Sequence, residues 1–139
     1  MPTPSQEDYL EAIWVLVQTK GYARVTDLAE RLGISTASVS KMVRRLHASG
    51  LLTYERYRGF GFTAAGREKG RRLYERHRTL EAFLTALGVG PPDRVYRLVE
   101  GMEHHFDASA LERVDALVTY IGEHPDWWGQ FADAAPPQS

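Results

Sequence analysis

The chain has 139 residues, 43% of them hydrophobic and 25% charged, enough for one domain or two small ones sharing a core. It has no cysteine, which excludes disulfides and thiolate metal sites and makes the reducing cytoplasm the expected compartment. No run approaches the roughly 20 apolar residues of a membrane span, and no signal-peptide core follows Met1.

The net charge of −1 conceals a division. Residues 1–80 carry 14 basic and 8 acidic side chains, whereas residues 81–139 carry 3 and 10. A basic half facing an acidic partner such as nucleic acid, and an acidic half with a separate task, fit that pattern.

The first helix is expected over residues 3–19, with Thr3 as its cap, Pro4 at its first position and Gln6 completing a capping box. Leu10, Ile13, Trp14 and Val17 form its apolar stripe, and Asp8 and Glu11 share another face. A second helix follows Thr26 and stops at Gly33. A third, capped by Ser35 or Thr36, runs through Val39, Met42, Val43 and Leu46 to Ser49-Gly50. Residues 51–57 are rich in β-branched and aromatic side chains, Arg58-Gly59 signals a turn, and residues 60–63 form the returning strand. Thr63 caps a long helix ending near Leu87. After a loop at residues 88–92, helices are expected over 92–106 and 109–121, the latter with a capping box in Ser109 and Glu112. The tail, residues 123–139, ends in a Pro-rich stretch that reads as a frayed terminus.

Two short helices around Leu32-Gly33-Ile34, followed by a basic hairpin, make a winged helix-turn-helix. Its second helix would enter the major groove by its N-terminal end. That end offers Ser35, Thr36, Ser38 and Ser40 to base edges, and Lys41, Arg44 and Arg45 to phosphates. Arg56 and Arg58, flanking Tyr57, would lie along the backbone from the wing. Any one of these features also occurs on ordinary solvated helices; their order points to double-stranded DNA.

In the acidic half, Glu100, Glu103 and His104 stand at i, i+3 and i+4, so a helix places two carboxylates and an imidazole on one face. Such a like-charge pair costs a few tenths of a kcal/mol, which a divalent cation removes. Asp8 and Glu11 are a second such pair, although acids near a helix N-terminus are favoured without any metal. His77 falls within the stripe Leu73, Leu80, Leu84 and Leu87 and should face inward. A lone histidine there is most often a hydrogen-bonded core residue; beside acidic pairs it becomes a ligand. Four carboxylates and two histidines suit one or two ions such as Mn²⁺ or Fe²⁺, with Zn²⁺, Co²⁺ or Cd²⁺ also able to bind in vitro. Bridging carboxylates make a binuclear site the expectation. Val95, Leu98, Val99, Met102 and Phe106 form the opposite, apolar face, and self-association is its simplest partner.

Several stretches resemble the diphtheria-toxin-repressor family of metal-dependent transcription regulators. They are Thr3-Pro-Ser-Gln-Glu-Asp-Tyr-Leu-Glu11, Lys20-Gly-Tyr-Ala-Arg-Val25, Ser40-Lys-Met-Val43, Tyr54-Glu-Arg-Tyr-Arg-Gly59, Tyr74-Glu-Arg-His77 and Val99-Glu-Gly-Met-Glu-His-His105. The resemblance covers about residues 1–122. It implies a mainly α chain: a winged helix-turn-helix DNA-binding domain over about residues 1–70, then a helical metal-binding and dimerisation domain over 71–139, joined by a helix over about 64–87. Metal would bind between the domains on Asp8, Glu11, His77, Glu100, Glu103 and His104. Carboxylates at positions 8 and 100, where the iron-responsive branch has methionine and cysteine, resemble the manganese branch. No SH3-like third domain is expected, the loop Gly90-Pro-Pro-Asp93 is slightly longer than in the family, and the Trp127-Trp128 tail departs from it.

The implied function is a homodimeric repressor of manganese-uptake genes, without enzymatic activity or an organic cofactor. Bound Mn²⁺ would hold two recognition helices about 34–36 Å apart for a palindromic operator. Two other classes compete. A sensor of a small organic molecule would carry an apolar pocket and no metal. A di-metal carboxylate enzyme would need a Glu-x-x-His pair on each of two helices, a pair this segment does not contain.

Overall fold

Helix α1 (Gln6–Lys20) begins where Ser5 leaves helical geometry. The Ser5 hydroxyl accepts from the Asp8 N–H at 3.2 Å, and Asp8 Oδ2 accepts from the Ser5 N–H at 2.7 Å. The capping box therefore joins Ser5 to Asp8, and the expected start, with Pro4 and Gln6 in the first turn, is displaced. Thr3 itself lies outside residues 4–55 and 59–138, which the computed structural model describes. These residues belong to two compact units, Met1–Tyr74 and Glu75–Ser139.

In the first unit, α2 (Val25–Leu32) starts ahead of Thr26, with the extended backbone of Arg24 as its cap and no side-chain capping bond. Gly33, at φ 67, closes α2 and makes the tight turn into α3 (Thr36–Ala48). Ser35 caps α3 by accepting from the Ser38 N–H at 3.2 Å. Strands β1 (Leu52–Glu55) and β2 (Gly59–Phe62) pair antiparallel, with Leu52 opposite Phe62 and Tyr54 opposite Phe60. Ala23 and Phe60 exchange two backbone hydrogen bonds of 2.8 Å, which tie the segment before α2 to the wing. That approach requires glycine at 59, where φ is 128 and a Cβ would overlap the Ala23 carbonyl. Leu10, Ile13, Leu28, Val39, Leu46 and Phe60 are at most 2% exposed and form the core. Each such side chain contributes about 1.5–3 kcal/mol on burial.

Helix α4 (Ala64–Ala86) is capped as expected: the Thr63 hydroxyl accepts from Gly66 N–H at 3.1 Å and donates to the Gly50 carbonyl at 2.6 Å. The boundary between the two units falls within it, after Tyr74. In the second unit, Leu80 and Leu84 of α4 pack with Val95 and Val99 of α5 (Pro92–Met102), flanked by Met102, Phe106 and Val114. The helix expected to reach residue 106 stops at Met102, and Glu103–His105 form a single 3-10 turn. Gly101 weakens the last turn of α5, and Phe106 then extends to free Asp107 as the next cap. Asp107, rather than Ser109, caps α6 (Ala108–Glu123), accepting from Ala110 N–H at 2.7 Å.

The tail is not frayed. Pro125 opens a further helix, α7 (Pro125–Ala134). The Trp128 indole donates to the Ala86 carbonyl at 2.6 Å, and Gln138 Oε1 accepts from Gly90 N–H and Arg94 Nη1, both at 2.9 Å. Among the described residues, no helix is long and apolar enough to cross a membrane.

Candidate metal centre

His77 lies on the inward stripe of α4 and is 8% exposed. Its Nδ1 is 3.0 Å from Glu103 Oε2 and 3.4 Å from Glu100 Oε1, while Nε2 faces Glu81 Oε1 at 3.6 Å. The Tyr96 ring packs against the imidazole at 5.1 Å between centroids. Burial by itself would lower the His77 pKa. The hydrogen bond and charge of Glu103, joined by the charges of Glu81 and Glu100, outweigh it and hold the pKa above the ordinary histidine value.

Glu103 is 0% exposed. The 3-10 turn aims one of its oxygens at His77 and the other, Oε1, toward His104 Nε2 at 3.9 Å. Oε1 is buried and accepts no hydrogen bond among the described residues. A buried polar atom left in this way costs about 1–3 kcal/mol, and a cation is the partner that would remove the cost. His77, Glu100 and Glu103 offer ligand atoms within 4.8 Å of one another, as do Glu103 and His104. Oxygen-rich donors with one or two imidazoles fit a divalent first-row ion. The second unit thus gathers His77, Glu100, Glu103 and His104, through a break in the helix rather than along one continuous helical face.

Asp8 and Glu11 lie half-buried on α1 of the first unit, one turn apart. The N-terminal interaction weighed for Asp8 is present, since its Oδ2 completes the capping box. Glu11, beyond the first turn, has no such role. Glu81 and Tyr96 were not singled out from sequence; the position of Glu81, four residues after His77 on a helix, was the available signal.

On the basic side, Val39, Val43 and Leu46 bury one face of α3 and leave Ser35, Thr36, Ser38, Lys41, Arg44 and Arg45 exposed, with Ser40 half-buried. Ser35 is already engaged as the cap, and its hydroxyl donates to Ser38 Oγ at 3.0 Å. Arg56 and Arg58 lie outside the described residues. His47 of α3 packs on the exposed Tyr54 of β1 at 4.8 Å, a contact the sequence pattern did not show.

Residues 1–60 match a family model described as the iron dependent repressor N-terminal DNA binding domain, and residues 63–127 match the iron dependent repressor metal binding and dimerisation domain. The HTH-type transcriptional regulator MntR of Listeria monocytogenes is 48% identical over 126 residues, covering 91% of this chain and 88% of that one. MntR of Geobacillus kaustophilus is 50% identical over 123 residues, covering 88% and 86%. Among solved structures, the manganese regulator SloR aligns with a TM-score of 0.75 at 29% identity, over 86% of this chain and 55% of that one. A manganese-dependent transcriptional repressor in complex with manganese aligns with 0.72 at 30%, over 84% and 53%. The chain spans about half the length of these two solved proteins.

Proposed function

The chain belongs to the iron-dependent repressor family and is a metal-dependent, DNA-binding transcription regulator, and on that premise we propose that it represses manganese-uptake genes when Mn²⁺ is plentiful. The observation that carries the metal reading is the buried pair of His77 and Glu103, with Glu103 Oε1 lacking a hydrogen-bond partner inside the segment matched to a metal-binding domain. The relatives are named as regulators, which supports a non-enzymatic role and a cytoplasmic one.

In this proposal His77, Glu100, Glu103 and His104 supply the ligands of the second unit, and Asp8 and Glu11 complete the set from the first. Two ions per subunit suit four carboxylates, because a carboxylate can bridge. When bound, the cations neutralise the carboxylates and couple the ligand-bearing helices. His77 presents Nδ1 to the site while Glu81 faces its other nitrogen. Glu100 and Glu103 hold their charges on the same side of that ring. Asp8 sits at the start of α1, so its engagement bears on the DNA-binding unit directly.

Ser35, Thr36, Ser38 and Ser40 are assigned to base edges, and Lys41, Arg44, Arg45, Arg56 and Arg58 to phosphates of a palindromic operator. The exposed Leu98, Leu117, Tyr120, Trp127 and Phe131 of the second unit support a homodimer. Linkage makes the switch reciprocal: operator DNA tightens metal binding by the factor with which metal tightens DNA binding. The test is operator affinity with Mn²⁺ and with a chelator, in the native chain and in Glu11→Lys. The native chain should require Mn²⁺ and the variant should not respond to it. Equal native binding under both conditions overturns the switch, and a metal-responsive variant overturns the assignment of Glu11.

A further inference from the structure

Arg76 precedes His77 on α4, half-buried, with its Nη2 3.4 Å from His104 Nδ1. A guanidinium carries only donors and keeps its charge, so Nδ1 meets it with a lone pair. A neutral imidazole has one nitrogen lone pair, and its other nitrogen bears the proton. With Nδ1 turned to Arg76, Nε2 is the N–H, and it faces the otherwise unpartnered Glu103 Oε1 at 3.9 Å. Neither nitrogen of His104 then has a lone pair to offer a cation. Ligation by this ring requires the guanidinium to leave, whichever nitrogen takes the ion.

We infer that Arg76 is a built-in competitor of the metal for His104, a positioning residue that withholds the imidazole from the ligand set until an ion displaces it. The inference rests on the proposed role of His104 as a ligand. It makes the two parts of the site unequal. His77, Glu100 and Glu103 already have donor atoms converging, whereas the His104 part fills only as Arg76 withdraws. The metal concentration that completes the site is therefore set partly by a residue that never touches the ion. Arg76 also places a fixed positive charge beside His104, which opposes an incoming cation there.

The experiment is a titration of the full-length, DNA-free protein with Mn²⁺, following the electron paramagnetic resonance of the unbound ion. The chains compared are native, Arg76→Gln, His104→Ala and the double variant. Arg76→Gln should tighten the weaker, His104-dependent binding step by about tenfold, the lower end of what neighbours of metal ligands contribute. The same change in the His104→Ala background should do nothing. A merely structural role for Arg76 predicts weaker binding, with or without His104. Unchanged or weaker binding in Arg76→Gln overturns the inference, provided its melting under chelator matches the native chain. If that variant does not fold, Arg76→Met takes its place under the same criteria. Should His104→Ala alone bind Mn²⁺ as the native chain does, the ligand role of His104 fails, and the inference fails with it.

Discussion

Replacing Glu103 with glutamine separates a ligand from a structural carboxylate. The side chain is 0% exposed, with Oε2 3.0 Å from His77 and Oε1 without a hydrogen bond among the described residues. Glutamine keeps the volume and one acceptor for His77, removes the charge, and relieves repulsion with Glu100. The loss is the difference between a charged and a neutral hydrogen bond, about 1 kcal/mol. The amide NH2 that replaces Oε1 is as buried and unpartnered as the oxygen was, so that cost stays nearly the same. The metal-free variant should therefore melt within a few degrees of the native chain. The metal response should differ sharply. Mn²⁺ at 100 times its Kd stabilises the native protein by about 2.7 kcal/mol, roughly 8–10 °C in Tm for a chain of this size. A 10- to 100-fold loss of affinity, a conservative figure for a ligand, leaves about 0.4–1.4 kcal/mol at the same Mn²⁺ concentration. The assay is calorimetry with Mn²⁺ and with a chelator. A variant that melts several degrees lower without metal, yet keeps the full metal shift, would refute the reasoning and make Glu103 a structural residue.

Mn²⁺ affinity should fall as pH drops through the raised pKa of His77, beginning at a higher pH than for an ordinary histidine, because the proton and the metal compete for the ring; Mn²⁺ titrations across the histidine range measure it. In metal-free protein the sign is opposite. A pKa raised on folding adds stability that is full below the unfolded value, about 6.5, and is lost as pH rises through the folded one, so His77→Gln should cost more at low pH than at high pH in chelator melts. Trp128→Phe removes the indole bond to Ala86 and should lower Tm by about 3 °C, the equivalent of roughly 1 kcal/mol; an unchanged Tm would show that α7 does not hold the end of α4. Gly59→Ala places a Cβ on the Ala23 carbonyl and should weaken operator binding by displacing the wing, with Mn²⁺ affinity unchanged in parallel titrations. Arg44→Ala should weaken binding to all DNA sequences alike and reduce the salt dependence by about one charge, measured by fluorescence anisotropy at several salt concentrations.

Local chemistry made much of this chain legible in one dimension. The apolar period of α1 and α3, the glycine at 33, the serine cap at 35 and the threonine cap at 63 act over a few residues, and each reappears in the fold. The identities of the acids and histidines were likewise legible, since a hard divalent ion needs oxygen and imidazole donors wherever they converge. What was not legible depended on residues far apart in the chain. His77 and Glu103 meet across 26 positions, and Trp128 reaches Ala86 across 42. The sequence offered Glu100, Glu103 and His104 as equals on one helical face. The end of α5 at Met102 instead buries Glu103 completely and leaves Glu100 half-buried. Asp8 read as a ligand or as an acid favoured near a helix N-terminus. The structure places it in the capping box with Ser5, a contact three residues long that the expected start at Thr3 had displaced. The alternation of residue types determined which elements form and which chemistry they carry, because capping and periodicity are short-range. Which carboxylate loses its water, and which cation stands beside His104, was decided by packing, because desolvation and charge pairing depend on neighbours that only folding supplies.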